Sequence, residues 1–376
     1  MTRRFELPAL AVVKIGSNSL RDDRGRLDRD QIADLADQVA RARLAGTRVV
    51  IVSSGAVAAG MGLLGMAARP TDLPTLQAAA AAGQGDLVHE WQARLADHGL
   101  VGAQILLTQD DFVHRPRYLN ARTTLQRLLE LGCVPVINEN DAIATEELAL
   151  AYGDNDHLAA LVASMLEAPL LLLLSDVDGL YDADPRSNPA ATRYDVVADL
   201  DALDRGRIGG TGSAVSRGGM RTKVDAAHVA VASGTQAIVA DARRPDVLAA
   251  AIGGDQVGTW FVAGERRRDA RRLWIAFALQ PKGRIVVDAG AAAALRDRGV
   301  SLLGVGVVRA EGGFVEGDAV EVVDEQGRVL GRGLSAYAVA DVTRLAGLST
   351  QRAAADLGMA FAREVVHRDD LALLPR

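Results

Sequence analysis

Residues 170–186 read LLLLLSDVDGLYDADPR: five leucines in succession, then a polar stretch with four aspartates. A run with no polar alternation leaves neither face for water, as in a parallel strand covered by helices on both sides. The DG and DP pairs that follow are turn signals, so the strand ends in a long acidic loop. Working outward, strands are expected at Ala9–Ile15, Arg48–Ser53, Ala103–Leu107, Val134–Asn138, Thr235–Val239 and Thr259–Val262. Amphipathic segments near 29–45, 74–97, 117–131, 154–167, 217–233 and 245–252 read as the helices between them. This alternation predicts an α/β domain with a three-layer, open, mainly parallel sheet, over residues 1–264. Ligands of such sheets bind outside the carboxyl ends of the strands.

The pattern changes after residue 262. The charge run ERRRDARR (265–272) reads as a linker, placed at 265–280. Beyond it, GRIVVDAG, LLGVGVVRAEGGF and EGDAVEVVDEQGRVLGRGLS are short strand-like pieces broken by tight turns, predicting a small β-rich domain over 281–376.

Composition narrows the function classes. The 376 residues are 49% hydrophobic, too apolar for a disordered chain. One cysteine, Cys133, can form neither an internal disulfide nor a multi-cysteine metal site, which suits a reducing, cytoplasmic compartment. Cys133 precedes an apolar strand and is expected in the core. The purest apolar run, 168–174, is far below the ~20 residues a membrane helix needs. Glu6 and Lys14 break the start of the chain too early for a signal peptide, leaving a first strand instead. Residues 1–264 carry 25 Lys+Arg against 33 Asp+Glu, a poor surface for nonspecific nucleic-acid binding. Only three of the 42 basic residues are lysines: Lys14, Lys223 and Lys282. Where arginine serves everywhere else, a lysine marks a position that wants a compact ammonium.

Four expected strands run into loops able to carry chemistry. KIGSN (14–18) sets a lysine beside a glycine, whose backbone amides could approach a ligand; it is also an ordinary turn. SSGAVAAG (53–60) lets a helix begin abruptly with its N–H groups over the sheet, or is simply an N-cap by Ser53 or Ser54. NENDA (138–142) and GDNDH (153–157) gather Asn138, Asp141, Asp154, Asn155 and Asp156; carboxylates can hold an ammonium and amides a carboxylate, as a zwitterion requires. Asp154 could also cap a helix, and a dedicated calcium loop lacks its Gly and Glu. GGTGSAVSRGGMRTK (209–223) is a glycine-rich loop opening a helix that holds Lys223. GxxxxGK[ST] does not occur, which excludes a P-loop NTPase, and the Gly16 loop lacks GxGxxG, which argues against a dinucleotide-binding Rossmann site.

In that order and spacing, KIGSN, VSSGAVAAG, NENDA, GDNDH, LLLLSDVDGLYDADPR and RGGMRTK resemble the amino-acid kinase superfamily, and most of all its branch that phosphorylates glutamate. The tail from 281 is similar to a PUA domain. The resemblance implies the amino-acid kinase fold and transfer of a phosphoryl group from ATP, with Mg²⁺, to the γ-carboxylate of L-glutamate. That would be the first step of proline biosynthesis, with proline as inhibitor, in a homo-oligomer. It further implies that Lys14 and Lys223 contact the transferring group and that Asp156 holds both. Ser54, Asn138, Asp141, Asp154 and Asn155 would bind glutamate. Lys14, Ser175, Asp176, Arg217, Gly218, Gly219, Met220, Arg221, Thr222 and Lys223 would hold ATP, with no protein metal site. Members often have a GTGGM-like stretch where this chain has SRGGM, so Arg217 is a departure in the nucleotide loop.

The acceptor would already be ionised at neutral pH, so no general base is needed and His157 is expected to be a bystander. The barrier is repulsion between two anions, about 4 kcal/mol for unit charges ~4 Å apart at an effective dielectric of 20, which ammonium groups and amides offset. Two alternatives follow from the same residues: another carboxylate or carbamate kinase, and an RNA-binding PUA protein. The second has only 17 basic against 15 acidic residues over 265–376 to work with.

Overall fold

In the computed structural model, the described residues are 6–22, 25–108, 110–143, 155–185, 187–200, 203, 219–264, 275, 279 and 281–373. Asp154, Arg217 and Gly218, and all of the proposed linker except residues 275 and 279, lie outside them. The chain divides into two compact units, 1–267 and 268–376.

The first unit is built on an eight-stranded sheet ordered β3-β4-β2-β1-β5-β7-β8-β6. The strands are β1 (Leu10–Ile15), β2 (Arg48–Val52), β3 (Gly102–Leu107), β4 (Val134–Glu139), β5 (Leu170–Ser175), β6 (Val196–Val197), β7 (Gln236–Asp241) and β8 (Thr259–Phe261). All neighbours pair in parallel except β7 and β8. The helices are α1 (Arg29–Leu44), α2 (Ala56–Leu63), α3 (Leu73–Ala96), α4 (Asp110–Val113), α5 (Arg115–Glu130), α6 (Asp156–Met165), α7 (Met220–Ala232) and α8 (Val247–Ile252). β5 is buried at every position, as its leucines require. Burying each such side chain contributes roughly 1.5–3 kcal/mol.

Strand parity divides the two faces. Ala11, Val13 and Ile15 of β1 and Leu170, Leu172 and Leu174 of β5 belong to one core cluster, with residues of α1, α3 and α8. Side chains alternate along a strand, so Val12 and Lys14 point to the other face, where α6 packs on β1 and β5 and α7 on β5 and β7. That parity puts a lysine under two helices.

The helix expected to open at SSGAVAAG is there, but neither serine caps it. Gly55 is the N-cap, with φ at +109°, a left-handed conformation that favours glycine. α2 and α3 then touch backbone to backbone. A Cβ on Gly60 would lie 1.7 Å from Ala79 O, and one on Gly83 2.0 Å from Ala56 O. β6, only two residues long, is too short to leave a pattern in the sequence. Cys133 is a second correction: it sits in the turn between α5 and β4 and is only partly buried.

The second unit has a five-stranded sheet ordered β10-β9-β11-β12-β13. Its strands are β9 (Gly283–Val287), β10 (Val307–Gly312), β11 (Ala319–Asp324), β12 (Val329–Leu334) and β13 (Leu371–Leu373). Only β9 and β11 are parallel. Its core gathers Ile285, Val287, Phe314, Val320, Val322, Leu330 and Tyr337. Helices α9 (Ala289–Arg298), α10 (Val339–Leu345) and α11 (Thr350–Leu357) complete it. Among the described residues, no helix is long and apolar enough to cross a membrane.

Candidate active site

The carboxyl ends of β1, β2 and β4 lead into two buried polar clusters. The first centres on Asp156, the first residue of α6 and fully buried. Its Oδ1 lies 2.6 Å from Lys14 Nζ of β1, and its Oδ2 3.1 Å from Lys223 Nζ of α7. Thr222 Oγ1 is also 3.1 Å from Oδ2 and 2.9 Å from Gly219 O, which ties the start of α7 to the same carboxylate. Lys14 and Lys223 are 1% and 4% exposed. Two ammonium groups thus meet on one buried carboxylate, an arrangement that can receive an incoming anion. The helix dipole of α6 favours a carboxylate at its first turn, where Asp156 sits.

The second cluster is made of amides. Asn155, the N-cap of α6, makes no cap hydrogen bond with its side chain. Its Nδ2 donates instead to Ser53 O at 2.5 Å and to Asn138 Oδ1 at 2.7 Å, with Ser54 Oγ 3.2 Å away. Asn138 Nδ2 donates to Gln84 Oε1 at 2.5 Å, and Trp91 Nε1 to Ser53 Oγ at 3.0 Å. Gln84 and Trp91 both come from α3. Inside a helix they read as a surface amide and a core aromatic, and the sequence alone does not connect them to the loops.

A pocket opens beside these amides. Its wall includes Ser54, Gly55, Asn138, Asp141 and Asn155; Ser17 and Glu139, from within KIGSN and NENDA but given no role there; and Arg21, Arg69 and Gln77, from outside the motifs. Burial pushes the Glu139 carboxyl up to about 7, with the Asp141 charge adding to it. Burial likewise raises Asp141 to about 6, against the opposing pull of Arg69. Burial lowers His157 to about 4 despite the neighbouring Asp156 charge, so its imidazole is neutral at pH 7.

The loop after β1 departs from the expected exposed amides. Gly16 N donates to Leu174 O at 3.0 Å, because the β1–β5 ladder runs one residue past the strand end. Ser175 Oγ donates to Asp176 Oδ1 at 3.1 Å, and Asn18 Nδ2 to Asp176 Oδ2 at 3.3 Å, joining the two loops. Gly219 is the N-cap of α7, followed by Met220, and the Arg221 side chain is exposed.

The same residues set this chain among known proteins. Residues 9–241 match the model of the amino acid kinase family, and 283–355 match the PUA domain. Over 96% of its length the chain is 48% identical to a protein named glutamate 5-kinase from Thermobifida fusca, covering 92% of that protein. It is also 48% identical, over 96% of the chain and 98% of the relative, to a glutamate 5-kinase from Pseudomonas savastanoi pv. phaseolicola. The chain belongs to the glutamate 5-kinases of the amino acid kinase family. In this family member, Lys14, Asp156 and Lys223 meet within hydrogen-bonding distance, and Ser54, Asn138, Asp141 and Asn155 share one pocket. Among the described residues, no group of three His, Cys, Asp or Glu could hold a metal ion.

Proposed function

We propose that this chain transfers the γ-phosphoryl group of ATP to the γ-carboxylate of L-glutamate, giving glutamyl 5-phosphate and ADP. The carrying observation is the pair of lysines on one buried carboxylate, beside a pocket walled by amides and acids. A glutamate γ-carboxylate oxygen forms the new bond to phosphorus as the bond to the bridging oxygen of ADP breaks. Because the acceptor is already an anion at neutral pH, no side chain has to remove a proton, and the neutral His157 is left out of the chemistry.

Lys14 and Lys223 stabilise the charge that spreads over the transferring group, and Asp156 keeps both ammoniums aimed and apart. Mg²⁺ on the ATP phosphates supplies further neutralisation when bound. Asn138, Asn155 and Ser54 orient the amino-acid end of the substrate, and Asp141 pairs its ammonium. Ser175, Asp176 and residues 219–223 hold the nucleotide, while Asp154, Arg217 and Gly218 enter this reading on their motifs alone. Residues 1–264 form the catalytic domain, 265–280 the linker and 281–376 the PUA-like domain. Proline, a zwitterion without a γ-carboxylate, acts as the feedback inhibitor of what becomes the first step of its own synthesis.

The test is turnover of ATP and Mg²⁺ with L-glutamate, trapping the acyl phosphate with hydroxylamine, with and without proline. Glutamate-dependent hydroxamate that proline suppresses is the expected result. Product from a different carboxylate but none from glutamate would overturn the substrate.

A further inference from the structure

We infer that Gln84, on α3, is a positioning residue that closes a chain of amides and holds the Asn138 side chain in the orientation that faces the ligand; the inference rests on the function proposed above. The argument starts at Ser53 O. A backbone carbonyl can only accept, so Asn155 must turn its nitrogen toward it, at 2.5 Å. The other N–H of Asn155 then meets Asn138 Oδ1 at 2.7 Å. This turns the Asn138 nitrogen toward Gln84 Oε1, 2.5 Å away. One obligate acceptor thus orients three amides in series, and Gln84 closes the chain.

Two atoms are left over. Among the described residues, nothing partners Asn155 Oδ1 or the second Nδ2 hydrogen of Asn138, and both side chains line the pocket. The pocket therefore receives one acceptor, suited to an ammonium, and one donor, suited to a carboxylate. Without the Gln84 oxygen, Asn138 would be held by a single bond and its donor would have to be ordered again at each binding event. The helix carrying Gln84 is itself fixed: Gly83, the preceding residue, is in backbone contact with α2, where a Cβ would fall 2.0 Å from Ala56 O.

Gln84→Met removes the acceptor at nearly constant length, and Gln84→Glu keeps an acceptor. The Met variant should raise the KM for glutamate about tenfold, with kcat and the KM for ATP within about twofold. The Glu variant should return the glutamate KM to within about threefold of the parent protein. A packing role would instead lower thermal stability and shift both KM values in both variants. If the Met variant binds glutamate as the parent does, or the Glu variant is as impaired as the Met variant, Gln84 has no positioning role. A second readout needs neither turnover nor ligand. The ¹⁵N side-chain amide signal of Asn138, assigned by its loss in Asn138→Asp, should move in Gln84→Met and return in Gln84→Glu. An unmoved signal in the Met variant overturns the inference. Absence of glutamate turnover by the parent protein would overturn the proposed function and leave the amide signal to decide on Gln84.

Discussion

Lys14 and Lys223 each take a different oxygen of one carboxylate: Asp156 Oδ1 at 2.6 Å for the first and Oδ2 at 3.1 Å for the second. All three side chains are almost wholly buried, so the spacing of the two ammoniums is set by a rigid planar group rather than by solvent. If they stabilise charge in the transition state, Lys14→Ala or Lys223→Ala should lower kcat by roughly 10²–10³, with a much smaller change in the KM for glutamate. Initial rates across a glutamate series measure both. A raised KM with unchanged kcat would remove the lysines from the chemistry.

Asp156→Asn keeps the shape and removes the charge, leaving two buried ammoniums facing a neutral amide. Loss of one partner from a buried ion pair costs about 3–5 kcal/mol, and a urea titration should show a drop of that size. Adding Lys223→Met to Asp156→Asn should recover part of it, because one of the two buried ammonium charges goes too. Additive losses in the double variant would mean that the two groups are not coupled.

The pocket acids give a pH dependence of defined sign. Glu139, at about 7, and Asp141, at about 6, both lie above their unfolded values, so the fold favours their neutral forms. Their contribution to stability is full below about pH 4 and is lost as pH rises to about 7. His157, lowered to about 4, acts the other way: its contribution is present above about 6.5 and is lost as pH falls toward 4. Glu139→Gln with Asp141→Asn should therefore make the ligand-free protein more stable than the parent at about pH 8, measured by thermal midpoint. Glutamate affinity, which needs an ionised Asp141 to pair its ammonium, should fall below about pH 6. Calorimetric affinity that stays flat between about pH 5 and 8 would take Asp141 out of that role.

N-acetylglutamate should be a poor substrate. A site built to pair an ammonium leaves a buried acid uncompensated when the ligand presents an amide instead. Comparable kcat/KM for the two ligands would contradict this assignment of Asp141.

Gly60→Ala and Gly83→Ala test the backbone contact between α2 and α3. Each added methyl would meet main-chain atoms 1.7–2.1 Å away, so the helices must separate. The expected loss is about 1–3 kcal/mol or more by denaturant titration. It should come with a raised glutamate KM, because Gly55 and Ser54 at the head of α2 line the pocket.

The strands were legible in the sequence because continuous apolar runs such as 170–174 have one physical reading when both sheet faces are covered. Lys14, Asp156 and Lys223 were legible by type and motif: scarce lysines, and an acid at a helix start. Gln84 and Trp91 were not. Inside a 24-residue helix they resemble any amide and any core aromatic, and only the approach of α3 to β2 and β4 gives them partners. Glu139 and Arg69 were missed for a similar reason, since their surroundings come from segments far apart in the chain.

By itself the sequence determined the alternation of strand and helix, the change to a β-rich tail after residue 262 and the loops where polar groups gather. These are local properties, written in periodicity, turn residues and composition. The tertiary structure alone decided the strand order that sets β1 between β2 and β5, the parity that turns Lys14 toward α6 and α7, and the chain of amides from Ser53 to Gln84. Each of these depends on distances between residues remote in sequence, which packing sets and local propensity does not encode.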